Sequence, residues 1–403
     1  MKLITRDSYL SQLIDVMGTP DIKVVTGIRR AGKSKLLEAF IDHVNETMPE
    51  ANVIRVNFNL VEFEDLLEYH ALLEYVESRY LAGVLNILVI DEVQMCKGFE
   101  RAVNSLHASE RFDIYLTGSN AFLMSSDLAT LFTGRTFEVE VYPFSFSEFV
   151  RYHGLTDLDA ALDRYVVEGG MSGSYVYPSA EARRRYVADV FETLIVRDIR
   201  QKHRVRNVDQ LERVSNYLMD NVSNVTSVRG IADALGREGA PVSDKTVGAY
   251  LSYLCEAFAF YRVRRYDIRG KRYLTSGDKF YLADHSFRYA KLGTRNMDYG
   301  RVYENIVAME LIRRGFELYA GTLYQKEIDF VAVRGSEKLY IQVSDDISAE
   351  ETFRREVGPL LAVRDAYPKL VIARTRHDAY TYEGVEVHDL ARWLAGEYRN
   401  KAG

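Results

Sequence analysis

Cysteine is scarce in this chain: only Cys96 and Cys255 occur among 403 residues. Two thiols so far apart match neither a disulfide framework nor the spacing of a zinc site, so the simplest compartment is a reducing cytoplasm. Long apolar runs are missing as well. No segment approaches the roughly 20 apolar residues that span a bilayer. Residues Met1–Val16 are interrupted by Lys2, Arg6, Asp7 and Asp15, which is not the pattern of a signal peptide. Neither a membrane nor a secreted protein is expected. Internal repeats, low-complexity tracts and long Pro- or Ser-rich linkers are likewise absent, so the domains should pack closely. Nor is there an excess of positive charge: the net charge is -6, so any nucleic-acid surface must be a local patch.

What is present is an ordinary folding composition, 47% hydrophobic and 27% charged, in a length that suggests two or three domains. Short β-rich runs at 22–26, 53–58, 85–90, 114–117 and 137–141 alternate with helical stretches such as 34–44 and 64–79. That alternation predicts an α/β domain with a mostly parallel sheet over residues 1–150. A helical region follows, with amphipathic stretches at 180–200 and 208–221. It ends in two helices around 228–235 and from Ser243, then strand-like runs at 260–266 and 279–282. This order predicts a helix-turn-helix with a β wing, and residues 151–297 are assigned to this middle domain. Residues 298–403 again mix a helix with strands and predict a second α/β domain.

Gly27-Ile28-Arg29-Arg30-Ala31-Gly32-Lys33-Ser34 matches the GxxxxGK[ST] pattern, directly after a strand and directly before a helix. The glycines, with Arg29, Arg30 and Ala31, let backbone amides converge on phosphates, and the helix start adds partial positive charge. Lys33 is expected on the β- and γ-phosphates of ATP, and Ser34 on Mg2+. The apolar strand ending in Asp91-Glu92 supplies the partner half. Asp91 at the strand tip is expected to hold the magnesium through water, and Glu92 to polarise the attacking water. After the strand 113–117, Ser119 and Asn120 are candidates for sensing the γ-phosphate.

With these pieces placed, the chain resembles AAA-superfamily ATPases of the branch close to archaeal and origin-recognition-type ATPases. The likeness rests on residues 22–34, on Val89-Ile90-Asp91-Glu92-Val93-Gln94, on Leu116-Thr117-Gly118-Ser119-Asn120, and on Gly134-Arg135 followed by Pro143–Phe149. The resemblance implies a P-loop ATPase that assembles into homo-oligomers, carries a winged helix and a C-terminal restriction-endonuclease-like domain, and has a DNA-related role. It also implies an arginine finger from a neighbouring subunit, for which Arg135 and Arg197 are the candidates.

In the expected wing, Arg262, Arg264, Arg265, Arg269, Lys271 and Arg272 crowd one hairpin with interleaved tyrosines, a composition suited to a DNA backbone. A solvated strand face or a protein-docking surface has the same composition. A nuclease of the restriction type would place a helix acid, a strand acid, and then an acid and a lysine two residues apart. Glu304 and Asp329 fit the first two, whereas Gln342 and Ser344 replace the others, so cleavage is not expected. The main expectation is an oligomeric cytoplasmic ATPase acting on or regulated by DNA. The alternative is a nucleotide-controlled protein scaffold without a nucleic-acid ligand.

Overall fold

The structure, a computed structural model, describes residues 4–118, 132, 134–270, 272–293, 298–324 and 326–397. The chain divides into two compact units, residues 1–143 and 144–403.

The first unit contains α1 (Asp7–Asp15), β1 (Ile22–Thr26), α2 (Lys33–Thr47), β2 (Asn52–Asn57), α3 (Tyr69–Glu77), β3 (Asn86–Asp91), α4 (Phe99–Ala108), β4 (Asp113–Thr117) and β5 (Thr136–Glu140). The five strands among its described residues lie in the order β2-β3-β4-β1-β5, and every neighbouring pair is parallel. The runs β1, β3 and β4 are buried along their whole length, as expected for strands covered on both faces. One helix forms differently from expectation: the stretch at 64–79 splits into a 3-10 turn, Val61–Leu66, and the short α3. A fully buried ion pair, Lys23 Nζ to Asp113 Oδ1 at 2.6 Å, ties β1 to β4. The Lys23 ammonium also donates to Thr19 O, and Asp113 accepts from the Gly18 N–H. Removing one partner of so buried a pair costs about 3–5 kcal/mol.

The second unit runs through α5 (Phe146–His153), α6 (Leu158–Glu168), α7 (Ala180–Thr193), α8 (Val208–Asp220), α9 (Val228–Arg237) and α10 (Asp244–Glu256). It continues with β6 (Phe260–Asp267), β7 (Arg272–Leu282), α11 (Ser286–Leu292), α12 (Tyr299–Arg313), β8 (Glu317–Leu323), β9 (Lys326–Arg334) and β10 (Glu337–Ser344). It closes with α13 (Glu350–Leu361), β11 (Lys369–Ala373), β12 (Tyr380–Tyr382), β13 (Val385–Asp389) and α14 (Leu390–Ala395). Ser145 opens α5 with a full capping box to Glu148, satisfying orphan donors of the first turn.

The eight strands among the described residues of this unit form one mixed sheet, β12-β13-β11-β10-β9-β8-β6-β7. Here the structure departs from the sequence expectation. The hairpin β6–β7 is not a free wing, because β6 pairs in parallel with β8 from Arg264↔Tyr319 to Asp267↔Thr322. Residues 151–297 and 298–403 therefore share one sheet instead of separating at 298. Two apolar layers cover it: Val302, Ile306, Val307 and Leu311 of α12 pack with Phe330, Ala332 and Ile341, while Val357 and Leu360 of α13 pack with Ile328, Val331 and Tyr340.

Candidate nucleotide site

Parallel pairing places the C-terminal ends of β1, β3 and β4 at one rim, with Val25 opposite Thr117 and Ile90 opposite Leu116. In open α/β sheets ligands bind at this rim, where the strand order reverses. The loop after β1 is shaped by three positive φ angles, Gly27 at 124°, Arg30 at 66° and Gly32 at 100°. A Cβ on Gly27 would lie 2.1 Å from Val141 O, so only glycine fits there. The buried Arg6 side chain reaches in from the start of α1 and donates to Ala31 O at 3.0 Å, clamping the loop from behind.

Lys33 begins α2 and is itself buried. Its ammonium donates to Gly27 O at 2.8 Å and Ile28 O at 3.2 Å, inside the loop's own curve. Ser34 follows on the first helical turn, half-buried. Arg29 is half-buried and Arg30 exposed on the outside of the loop.

Asp91 is buried at the tip of β3, and one of its carboxylate oxygens accepts a bond from the Thr117 hydroxyl at the tip of β4. The same hydroxyl accepts from the Glu92 N–H at 3.2 Å. Glu92 occupies the left-handed region, φ 57° and ψ 46°, a conformation that costs about 1–3 kcal/mol in a non-glycine residue. Its carboxylate accepts from the Gln94 side-chain amide. One hydroxyl thus fixes two adjacent acids, and one amide aims the second. A buried carboxylate with an oxygen outside this bond suits a hard divalent cation, and Ser34 offers a hydroxyl from the first turn of α2.

A family described as an AAA domain matches residues 19–150. A domain of unknown function, DUF8612, matches residues 159–298. An uncharacterized protein of Haemophilus influenzae is 34% identical over 397 residues, covering 97% of this chain and 98% of the relative. The chain belongs to that protein's family. An uncharacterized protein of Methanocaldococcus jannaschii is 25% identical over 405 residues, covering 96% of this chain and 87% of its own. Among solved structures, a Walker-type ATPase of Pyrococcus abyssi is 17% identical, covers 72% of this chain and 95% of its own, and has a TM-score of 0.49.

Within the AAA domain the expected residues Gly27–Ser34, Asp91 and Glu92 meet at one rim, and Thr117 and Gln94 join them. Ser119 and Asn120 lie outside the described residues. Arg135 does not join this site in its own chain. Its backbone O accepts from Ile22 N at the other end of the sheet, and its side chain is exposed there. The Arg197 side chain also lies outside the described residues.

In the second unit Glu304 and Asp329 do come together, around a residue that sequence reading missed. Lys279 of β7 places its buried Nζ 2.8 Å from Glu304, 2.6 Å from Glu327 and 3.6 Å from Asp329. Tyr281 donates to Glu304 at 2.6 Å. Gln342 accepts from the Asp329 N–H at 3.2 Å, and Asp329 accepts from the Val343 N–H at 2.8 Å. Burial, aided by the Glu304 charge, pushes the Asp329 carboxyl up to about 8. Burial alone would lower the Lys279 ammonium, but its carboxylate neighbours outweigh it and hold it well above the ordinary lysine range. Among the described residues no group of three His, Cys, Asp or Glu is arranged to hold a metal.

The basic residues of the hairpin are partly committed. Arg262 pairs with Asp278 at 2.5 Å, Arg265 donates to Thr322 at 3.3 Å, and Arg269 lies 5.1 Å from the Tyr324 ring. Arg264 is exposed. Lys271 and the side chain of Arg272 lie outside the described residues. No helix among the described residues is long and apolar enough to cross a membrane.

Proposed function

We propose that this chain is a magnesium-dependent ATPase of the AAA type. The observation that carries the reading is the convergence of the Gly27–Ser34 loop, Asp91, Glu92 and Thr117 at the C-terminal rim of one parallel sheet. Backbone amides of the loop receive the phosphates, and Lys33 exchanges its two loop carbonyls for the β- and γ-phosphate oxygens. Ser34 and Asp91 would hold Mg2+, which supplies neutralisation of the charge that grows on the phosphate oxygens. Glu92 orients the attacking water, and its strained backbone and two hydrogen-bonded neighbours pre-set its direction. Arg135, remote from its own site, is suited to complete a neighbour's site in a homo-oligomer.

The test separates ground-state binding from chemistry. Lys33→Ala should lose tight ATP binding, whereas Glu92→Gln should bind ATP with magnesium and fail to turn it over. Normal steady-state turnover in purified Glu92→Gln would remove the role assigned to that residue.

For the ligand of the second unit, DNA remains the first reading, through α9, α10 and the basic hairpin as a winged-helix-type element. The rival reading, a nucleotide-controlled protein scaffold, is favoured by the internal commitments of Arg262 and Arg265, which reduce the charge free for phosphates. Replacing Arg264, Arg265 and Lys271 together by alanine decides between them. DNA binding should weaken across all sequences, and the salt slope should flatten by about one unit per lost phosphate contact. Unchanged affinity and slope in the folded variant would favour the scaffold. Cleavage of DNA is not proposed, since Gln342 and Ser344 stand where an acid and a lysine would act, and Lys279 already engages Glu304 and approaches Asp329, the two carboxylates that remain.

A further inference from the structure

Beside the Lys279 cluster, between the start of β9, the end of β10 and α13, lies a pocket of about 380 Å³ lined by Lys326, Glu327, Gln342, Arg354, Arg355 and Glu356. Its acids are already engaged: Glu327 pairs with Lys279 at 2.6 Å, and Glu356 pairs with Arg355 at 2.8 Å. Arg354 pairs at the exposed surface with Glu350 at 2.5 Å. Lys326 has no ion-pair partner among the described residues. Its ammonium leans across to α13 and lies 3.6 Å from where a Cβ on Gly358 would sit. The floor is Gln342, nine-tenths buried. The Asp329 N–H donates to its Oε1 and so fixes the amide orientation, leaving the Nε2 donor directed away from that bond with no acceptor among the described residues.

We propose that this pocket is a metal-independent site for a phosphoryl group, carried either by a nucleic-acid backbone or by a small free phosphate. A carboxylate at position 342 would repel such an anion, whereas the amide there is a donor. The ammonium of Lys326 and the unused guanidinium donors of Arg354 and Arg355 supply charge-assisted bonds at the mouth. Lys279 pairs from behind with Glu327, the acid its cluster shares with the pocket lining, which lowers the repulsion an anion meets there while Lys326 supplies the charge at the mouth. The site is separate from the ATP reading and stands or falls without it.

The experiment uses the full chain carrying Lys33→Ala, which silences the P-loop as a competing phosphate site, in buffer with EDTA. Pyrophosphate is titrated by calorimetry, and a short labelled DNA duplex by fluorescence anisotropy. Binding of either probe that falls about tenfold in Lys326→Ala and in Gln342→Met supports the site, and the probe that binds identifies the source of the phosphoryl group. Lys326→Ala alters an exposed residue, so it remains informative if Gln342→Met disturbs the core. Absence of binding by both probes overturns the proposal, as does binding that requires added magnesium or that survives both substitutions in folded protein.

Discussion

Thr117 carries more of the nucleotide site than its residue type suggests, because one hydroxyl donates to Asp91 and accepts from the Glu92 N–H. Thr117→Val keeps the shape and removes both bonds. The expected outcome is a fall in ATP turnover of about tenfold to a hundredfold at a stability cost of about 1–2 kcal/mol, with Thr117→Ser retaining most activity. Steady-state turnover beside thermal melting checks this, and a Val variant with wild-type turnover would show that the acids need no such anchor. The loop and the acid pair were legible in the sequence because contiguous residues carry their function. Thr117, Arg6 and Lys279 were not, since each acts on a residue 25 or 26 positions away. Thr117 stood at the end of a correctly read strand, but nothing local distinguishes an anchoring hydroxyl from a turn residue.

At the scale of elements, the Lys279 cluster links β7, α12 and β9 through one ammonium and three carboxylates. With fewer cations than acids, Asp329 retains a proton in the folded state well above its unfolded value. The sign follows directly: between 3.8 and about 8 the folded chain binds a proton that the unfolded chain has released, so stability falls as pH rises through that window. The Lys279 contribution has the same sign in a higher window. Its folded value is raised, so its stabilisation is intact below the ordinary lysine range and is lost only at higher pH. Asp329→Asn should therefore flatten the decline in denaturation midpoint between about pH 5 and pH 9. An unchanged slope would mean that Asp329 is ionised throughout. The sequence showed Glu304 and Asp329 by their places on a helix and a strand, yet the cation between them comes from the hairpin read as a separate wing. Basic and aromatic residues alternate along β6 in the same way whether it is a free wing or an inner strand. Only pairing with β8 distinguishes the two, and no local pattern records a partner so far along the chain.

At the scale of the whole molecule, the position of Arg135 bears on whether one chain can be a complete catalyst. β5 runs parallel to β1, with Ile22 opposite Thr136 and Thr26 opposite Glu140. Arg135 precedes β5, while the phosphate loop follows β1, so the full strand separates them. Five residues at about 3.3 Å each place the two roughly 17 Å apart along the sheet. Within one chain the arginine is therefore at the wrong end to stabilise charge on the γ-phosphate. Across a head-to-tail contact, the end of one sheet that carries Arg135 can face the rim of the next, which is how a heterologous ring is built. Arg135→Ala and Glu92→Gln should each reduce turnover by about a hundredfold or more when assembled alone. Mixing the two variants under conditions of free subunit exchange creates some interfaces with an intact glutamate on one side and an intact arginine on the other. Turnover of the mixture should then rise at least about tenfold above either variant. Simple addition of residual activities cannot produce that rise, because neither parent has an interface with both groups. Sizing with and without ATP establishes that exchange has occurred. A mixture that forms joint assemblies yet stays as inactive as its parents would place Arg135 outside the chemistry and leave the finger to another residue.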